Sequence, residues 1–150
     1  MTKDVLVRMR GTQVIGEETE TIEVIVPGSC YEKNGKWYLI YDENIEGADE
    51  PTRNTVKIGP EKVEVTKHGL VNSHLVYETG KKNMANYMTP MGLIVLGITT
   101  KSIFVEGDGA KLRLELTYAL EMNGQFVSDS RLEIEAASKQ DSVLNLAEQD

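Results

Sequence analysis

Two sets of side chains in this sequence are of types, and at spacings, that could do chemistry. The first is Lys67. It lies in phase with Val63 and Val65, and residues two apart on a strand share a face. If the valines face inward, so does the lysine, and an interior cation must be paired or it costs several kcal/mol. As a binding group it would anchor an anionic ligand. The plainer reading, preferred here, has Lys67 emerging at a barrel rim with its stem over apolar surface. The second set is the tyrosines, six of the nine aromatic residues. Tyr41, Tyr77 and Tyr118 fall in phase with apolar neighbours, and each brings a hydroxyl that wants a partner. Ser128 and Ser130 add two more hydroxyls to the same kind of face. Mostly apolar walls with a few polar groups describe a ligand pocket. They also describe the filled interior of a small barrel, the plainer of the two readings.

Other chemistry is sparse. There is no GxSxG elbow, no P-loop and no GxGxxG opening a helix. His68 and His74 are the only histidines, without HxH or HExxH spacing, so no metal site is expected. His68, beside Gly69, reads as a turn residue, and His74 alternates with Leu75 and so faces solvent. The single cysteine, Cys30, can form no internal disulfide and reads as a buried structural residue. The acidic pairs Glu17-Glu18, Asp42-Glu43 and Asp49-Glu50 read as solvated turns. On a strand, adjacent carboxylates point to opposite faces and make poor acid–base pairs. No catalytic residue and no cofactor is therefore assigned.

The elements that must position these groups are strands. Leu112, Leu114, Leu116, Tyr118, Leu120 and Met122 alternate with mostly polar residues. Phe126, Ser128, Ser130, Leu132, Ile134 and Ala136 alternate with Asp129, Arg131, Glu133 and Glu135. Between the two runs, Asn123-Gly124 signals a two-residue type I′ hairpin, and Asn34-Gly35 signals another between Tyr31 and Trp37. Pro27-Gly28 is expected to break the run Ile22, Val24, Val26. Gly59-Pro60, His68-Gly69, Thr79-Gly80 and Gly107-Asp108-Gly109 read as further turns. About ten strands result, in an antiparallel barrel or sandwich. Residues 42–54 are expected to form an acidic loop across a barrel mouth. Residues 138–150 are expected to be a tail or short helix capped by Asp141, leaving 1–137 as the folded domain.

Composition bounds the rest. One hundred and fifty residues make one domain. Val, Ile and Thr together supply 36 residues, which favours sheet. The net charge of −8 argues against a general nucleic-acid binder and against anionic membranes as partners. Residues 51–101 carry +4, however, so a local basic patch is conceivable. The N-terminus lacks the apolar core of a secretory signal, and the lone cysteine suits a reducing compartment, so a cytoplasmic location is expected. The run Met91–Ile98 is apolar on both faces. Coverage by the chain itself is the preferred reading, and a homodimer through 91–98 is the alternative.

Several stretches in order resemble a known family: GKWYLIYDE (35–43), TVKIGPEKVEVTKHG (55–69), YETG (77–80), YMTPMG (87–92), TTKSI (99–103) and NGQFVSDSRLEI (123–134). They are similar to the YwiB-like bacterial proteins, the domain-of-unknown-function family DUF 1934, over about residues 4–136. The resemblance implies an all-β, calycin-type (lipocalin-like) antiparallel barrel. It implies no activity, cofactor or catalytic residue. Its basic position is Lys67, which lacks the bidentate fork of arginine. Three function classes compete. One is a barrel that binds a small amphipathic or anionic molecule, lined by Lys67, Tyr41, Tyr77, Tyr118, Ser128 and Ser130. The second is a filled barrel that meets a protein or nucleic acid through its outer surface. An enzyme is the least favoured.

Overall fold

The computed structural model describes residues 3–107 and 111–139. Ten antiparallel strands follow one another: β1 Lys3–Ile15, β2 Glu18–Lys33, β3 Lys36–Glu43, β4 Thr52–Ile58, β5 Lys62–His68, β6 Ser73–Glu78, β7 Lys82–Thr89, β8 Gly92–Gly107, β9 Lys111–Met122 and β10 Gln125–Ser138. The sheet order is β6-β5-β4-β3-β2-β1-β10-β9-β8-β7. Every chain neighbour pairs in a hairpin except β6 and β7, because β1 and β10 pair and bring the two halves together. The sheet then curls until its edges meet. The seam is one isolated bridge, Asn72 with Met88, whose N–H and C=O groups exchange bonds of 3.0 and 2.9 Å. The Ser73 hydroxyl donates to Asn86 O at 3.1 Å beside it. The result is a nearly closed barrel, one of the two architectures that the period-two pattern allows.

The inward faces make one core. Val7, Leu39, Val56, Ile58, Val63, Ile98, Leu114, Leu116 and Ile134 are the most deeply buried apolar residues, and Cys30 joins them. Both expected type I′ turns form. Asn34 and Asn123 take φ of 54° and 50°, followed by Gly35 and Gly124 at 76° and 85°.

Three expectations about elements are corrected. Pro27-Gly28 does not end a strand; β2 runs through both to Lys33. Proline is tolerated at a strand edge, where its missing N–H faces no partner. Gly28 fits because a Cβ there would lie 2.7 Å from the Ile40 carbonyl oxygen on β3. Residues 42–54 are not one loop. Asp42 and Glu43 extend β3, β4 begins at Thr52, and the loop is only 44–51. Phe126 does not share the inward face of Ser128, Ser130 and Leu132. A bulge between Phe126 and Ser128 turns it outward, 61% exposed. β10 reaches Ser138, one residue beyond the expected domain end. The expected helix or tail from residue 140, with its Asp141 cap, lies outside the described residues, as do Asp108 and Gly109 of the expected turn.

Candidate functional site

The inward polar groups gather at the end of the barrel that carries the β3–β4 loop. On β3 the inward series is Leu39, Tyr41, Glu43. On β4 it is Thr52, Asn54, Val56, Ile58, and on β5 it is Val63, Val65, Lys67. Antiparallel register sets Glu43 against Thr52 and Asn54 against Lys67. Lys67 therefore faces inward at the mouth, its side chain only 15% exposed. Its ammonium donates to Asn54 Oδ1 at 2.7 Å and to Glu43 Oε1 at 3.1 Å. The fully buried Asn54 amide donates in turn to Glu43 Oε1 at 3.3 Å and to Thr52 O at 3.4 Å. The cation is thus compensated by one carboxylate and one amide, as a half-buried charge must be.

The tyrosines continue this set into the barrel. Tyr41 and Tyr77 are buried. Tyr77 and Tyr118 meet edge to face, with ring centroids 5.1 Å apart. The hydroxyls of Tyr77 and Ser130 both hydrogen-bond that of Tyr118. Ser130 Oγ lies 3.0 Å from Ser128 Oγ. Burial pushes the ionisation of all four inward tyrosines up: Tyr41, Tyr77, Tyr87 and Tyr118. The Glu43 carboxylate adds to the rise at Tyr41 and Tyr87, because a phenolate would face a like charge. For Tyr118 the bonds from Tyr77 and Ser130 partly offset burial. The remaining pair, Tyr31 and Tyr38, stacks at 4.8 Å between centroids and 5° between planes, with the Lys57 ammonium near the Tyr38 ring.

The structure therefore brings Lys67, Tyr41, Tyr77, Tyr118, Ser128 and Ser130 onto one interior surface. Lys67 sits at the mouth and the other five reach inward from it. Sequence reasoning passed over Glu43, Asn54 and Tyr87. Their signal was available, since each continues the inward phase of its strand: Glu43 after Tyr41, Asn54 before Val56, Tyr87 after Ala85. The sequence sets Glu43 beside Asp42 as a pair of turn acids. On the strand they part, Asp42 outward to Arg53 at 3.1 Å and Glu43 inward to Lys67.

Three side-chain polar atoms are buried without a protein partner among the described residues: Thr52 Oγ1, Thr100 Oγ1 and Asn83 Nδ2. Thr52 pairs with Glu43 at the mouth, and Thr100 pairs with Tyr118 deeper in. Such atoms are uncommon in native interiors, because each forfeits its hydration.

The positive charge of residues 51–101 is mostly neutralised. All seven cations of residues 51–101 lie within 4 Å of a carboxylate: Arg53, Lys57, Lys62, Lys67, Lys81, Lys82 and Lys101. The +4 of that stretch is balanced by acids from elsewhere in the barrel, chiefly β3, β9 and β10. His74 is exposed on a bond to Glu64 at 3.2 Å. Strand β8 lies between β7 and β9, and its Gly97 sits beneath the Lys82–Glu121 ion pair. Met84, Met88, Met91 and Leu93 remain exposed on β7, β8 and their turn. No group of three or more potential metal ligands occurs among the described residues. No helix among them is long and apolar enough to cross a membrane.

Three comparisons place these features among known proteins. A family model described as a domain of unknown function (DUF1934) matches residues 7–134. The chain is 30% identical over 106 residues to the uncharacterized beta-barrel protein YwiB of Bacillus subtilis (strain 168), covering 71% of this chain and 73% of that one. The crystal structure of the ywiB protein from Bacillus subtilis shares the fold with a TM-score of 0.82 at 24% identity, over 91% of this chain and 92% of that one.

Proposed function

The chain belongs to the DUF1934 family, and from that membership and the geometry of its barrel mouth we propose a small-molecule-binding barrel of the calycin type. The guest is small and amphipathic. Its polar end lies among Lys67, Glu43 and Asn54, and its body lies against Tyr41, Tyr77 and Tyr118. The observation that carries this reading is the inward polar set: Lys67 held by Glu43 and Asn54 at the mouth, continued by Tyr41, Tyr77, Tyr118 and Ser130, beside which the buried Thr100 hydroxyl has no partner among the described residues. Because Lys67 is already paired with Glu43, the mouth suits a neutral or zwitterionic head better than a strong anion. On this reading the protein is a carrier or sensor in the cytoplasm rather than an enzyme.

Native mass spectrometry of protein purified from its own host tests this. The expected result is a bound mass that denaturation releases and that Thr100→Val and Lys67→Met reduce. Bare protein from the native host, with an unaltered spectrum in both variants, would sink the reading. A second reading, contact through the outer surface, is favoured by the exposed Met84, Met88, Met91 and Leu93, where Met88 and Leu93 are directly paired. Retention of a macromolecule by wild-type protein but not by Leu93→Lys would support that one instead.

A further inference from the structure

Strand β2 has an open edge. β1 pairs with it from Glu18 to Cys30, but β3 covers only Gly28 to Lys33. Residues 18–27 thus turn one side of their backbone to solvent, and Ile22, Val24 and Ile25 are exposed along it. Ile22 is 67% exposed, although it continues the inward face of Val24 and Val26. Open backbone donors and acceptors beside exposed Ile22, Val24 and Ile25 are a template for another strand, provided its register keeps Glu18, Glu20 and Glu23 off like charges.

We propose that this edge pairs with the same edge of a second copy, antiparallel, about a two-fold axis at Ile22. Backbone geometry selects that register. The turn at Gly16-Glu17 closes on the pair Ile15–Glu18, which in a two-residue hairpin is hydrogen-bonded. Bonded and non-bonded pairs then alternate, so Thr19, Thr21, Glu23 and Ile25 direct their N–H and C=O groups away from β1. Centring on Ile22 opposes Thr21 to Glu23 and Thr19 to Ile25 of the second copy, all outward-directed residues that can exchange bonds. Ile22 meets its own copy, and Glu20 and Glu18 fall opposite Val24 and Val26. Centring on Glu23 would set two glutamates face to face. Centring on Thr21 would leave Ile25 without a strand residue opposite. Pro27 ends the ladder, because by the same alternation its absent N–H lies on the open side.

The charges agree with this register. Glu23 already faces Arg8 at 3.6 Å, so it brings no bare charge to the axis. Where β3 parts from β2, a groove of about 570 Å³ opens, lined by Pro27, Gly28, Tyr41 and Arg53 among others. The register delivers Glu17 of the second copy opposite Pro27, at the groove lined by Arg53, which is bonded to Asp42 through Nε and 64% exposed.

Sedimentation velocity on the full chain tests the proposal. Thr21→Pro removes an outward N–H without removing a bond to β1, and Ile22→Lys places like charges on the axis. The wild type should dimerise, and each variant should weaken the dimer at least about tenfold. Both positions are exposed, so a melting temperature unchanged at a concentration where the wild type is monomeric separates lost pairing from lost fold. Ile22→Cys should cross-link to its own copy under mild oxidation, since facing non-bonded residues stand about 4.5 Å apart at Cα. Val24→Cys, opposite Glu20, should not. This readout decides the matter if Thr21→Pro disturbs folding. A wild type monomeric at about 100 μM overturns the proposal. So does a dimer indifferent to both β2 variants but lost in Leu93→Lys.

Discussion

Lys67 shows what period-two phase conveys and what it leaves out. Phase placed its side chain inward, but not the partners that make this tolerable, because Glu43 and Asn54 arrive through pairing of β3 and β4 with β5. Register between strands is a tertiary property, absent from any one strand's pattern. The partnership gives a direct expectation. Lys67→Met leaves the buried Asn54 oxygen without its donor, costing about 1–3 kcal/mol in urea unfolding. Glu43→Gln keeps an acceptor in place and should cost less. Equal losses would mean that the ion pair, and not the amide, holds the mouth. The tyrosines give a second expectation, in pH. Tyr41, Tyr77, Tyr87 and Tyr118 ionise later in the folded chain than the ordinary value near 10. Above about pH 10 the unfolded chain therefore releases these protons first and binds fewer than the folded one. Their contribution to stability is complete below that pH and is lost as pH rises toward the folded values. Urea midpoints should fall between about pH 9 and pH 11, with tyrosinate absorbance from the four appearing as the chain unfolds. Reversible ionisation of all four in the folded state would refute this.

Among elements, the hairpin turns were the most legible features, because Asn-Gly is a local preference that needs no distant partner. Asn34 and Asn123 nonetheless differ in what they hold. Asn123 donates its N–H to Val95 O at 2.8 Å and accepts from Val95 N at 3.0 Å through its side chain, tying the β9–β10 turn to β8. Asn34, among the described residues, contributes its positive φ without such a tie to a third strand. Asn123→Ala should therefore destabilise by about 1–2 kcal/mol more than Asn34→Ala in matched denaturant melts. Equal losses would show that φ alone sets the cost. The bulges were not legible. One lies between Thr100 and Ser102, and it moves the inward series from Ile98 and Thr100 to Ile103 and Val105. The other turned Phe126 out. A single inserted residue leaves alternation intact on either side, so the sequence shows two good strands and hides the change of phase between them. Pro27-Gly28 misled in the opposite way, since breaker residues within a strand are compatible with an edge and a close approach.

At the scale of the molecule, all-β architecture followed from composition and turn spacing, and the point of closure did not. Nothing in β6 or β7 marks them as terminal strands, because which edges meet depends on curl accumulated over the whole sheet. The closure is thin: one bridge and the Ser73–Asn86 bond, against continuous ladders elsewhere. This predicts an alternating pattern of amide exchange along β7. Met88 donates its N–H to Asn72 across the seam, so by alternation Asn86 and Met84 also point their N–H groups toward β6. No ladder receives those two. Ala85 and Tyr87 point toward β8, where pairing is continuous. Met84 and Asn86 should exchange fast, Ala85 and Tyr87 slowly, and Met88 in between, through local opening that spares β9 and β10. Uniform protection along β7 would mean that the barrel is fully closed. The seam borders Tyr87, which faces the interior with Tyr41 and Glu43. If it is also the door to the interior, a bound guest should slow Met88 exchange while leaving Met84 and Asn86 fast. Uniform slowing of every amide would report global stabilisation, with entry through the mouth beside Lys67.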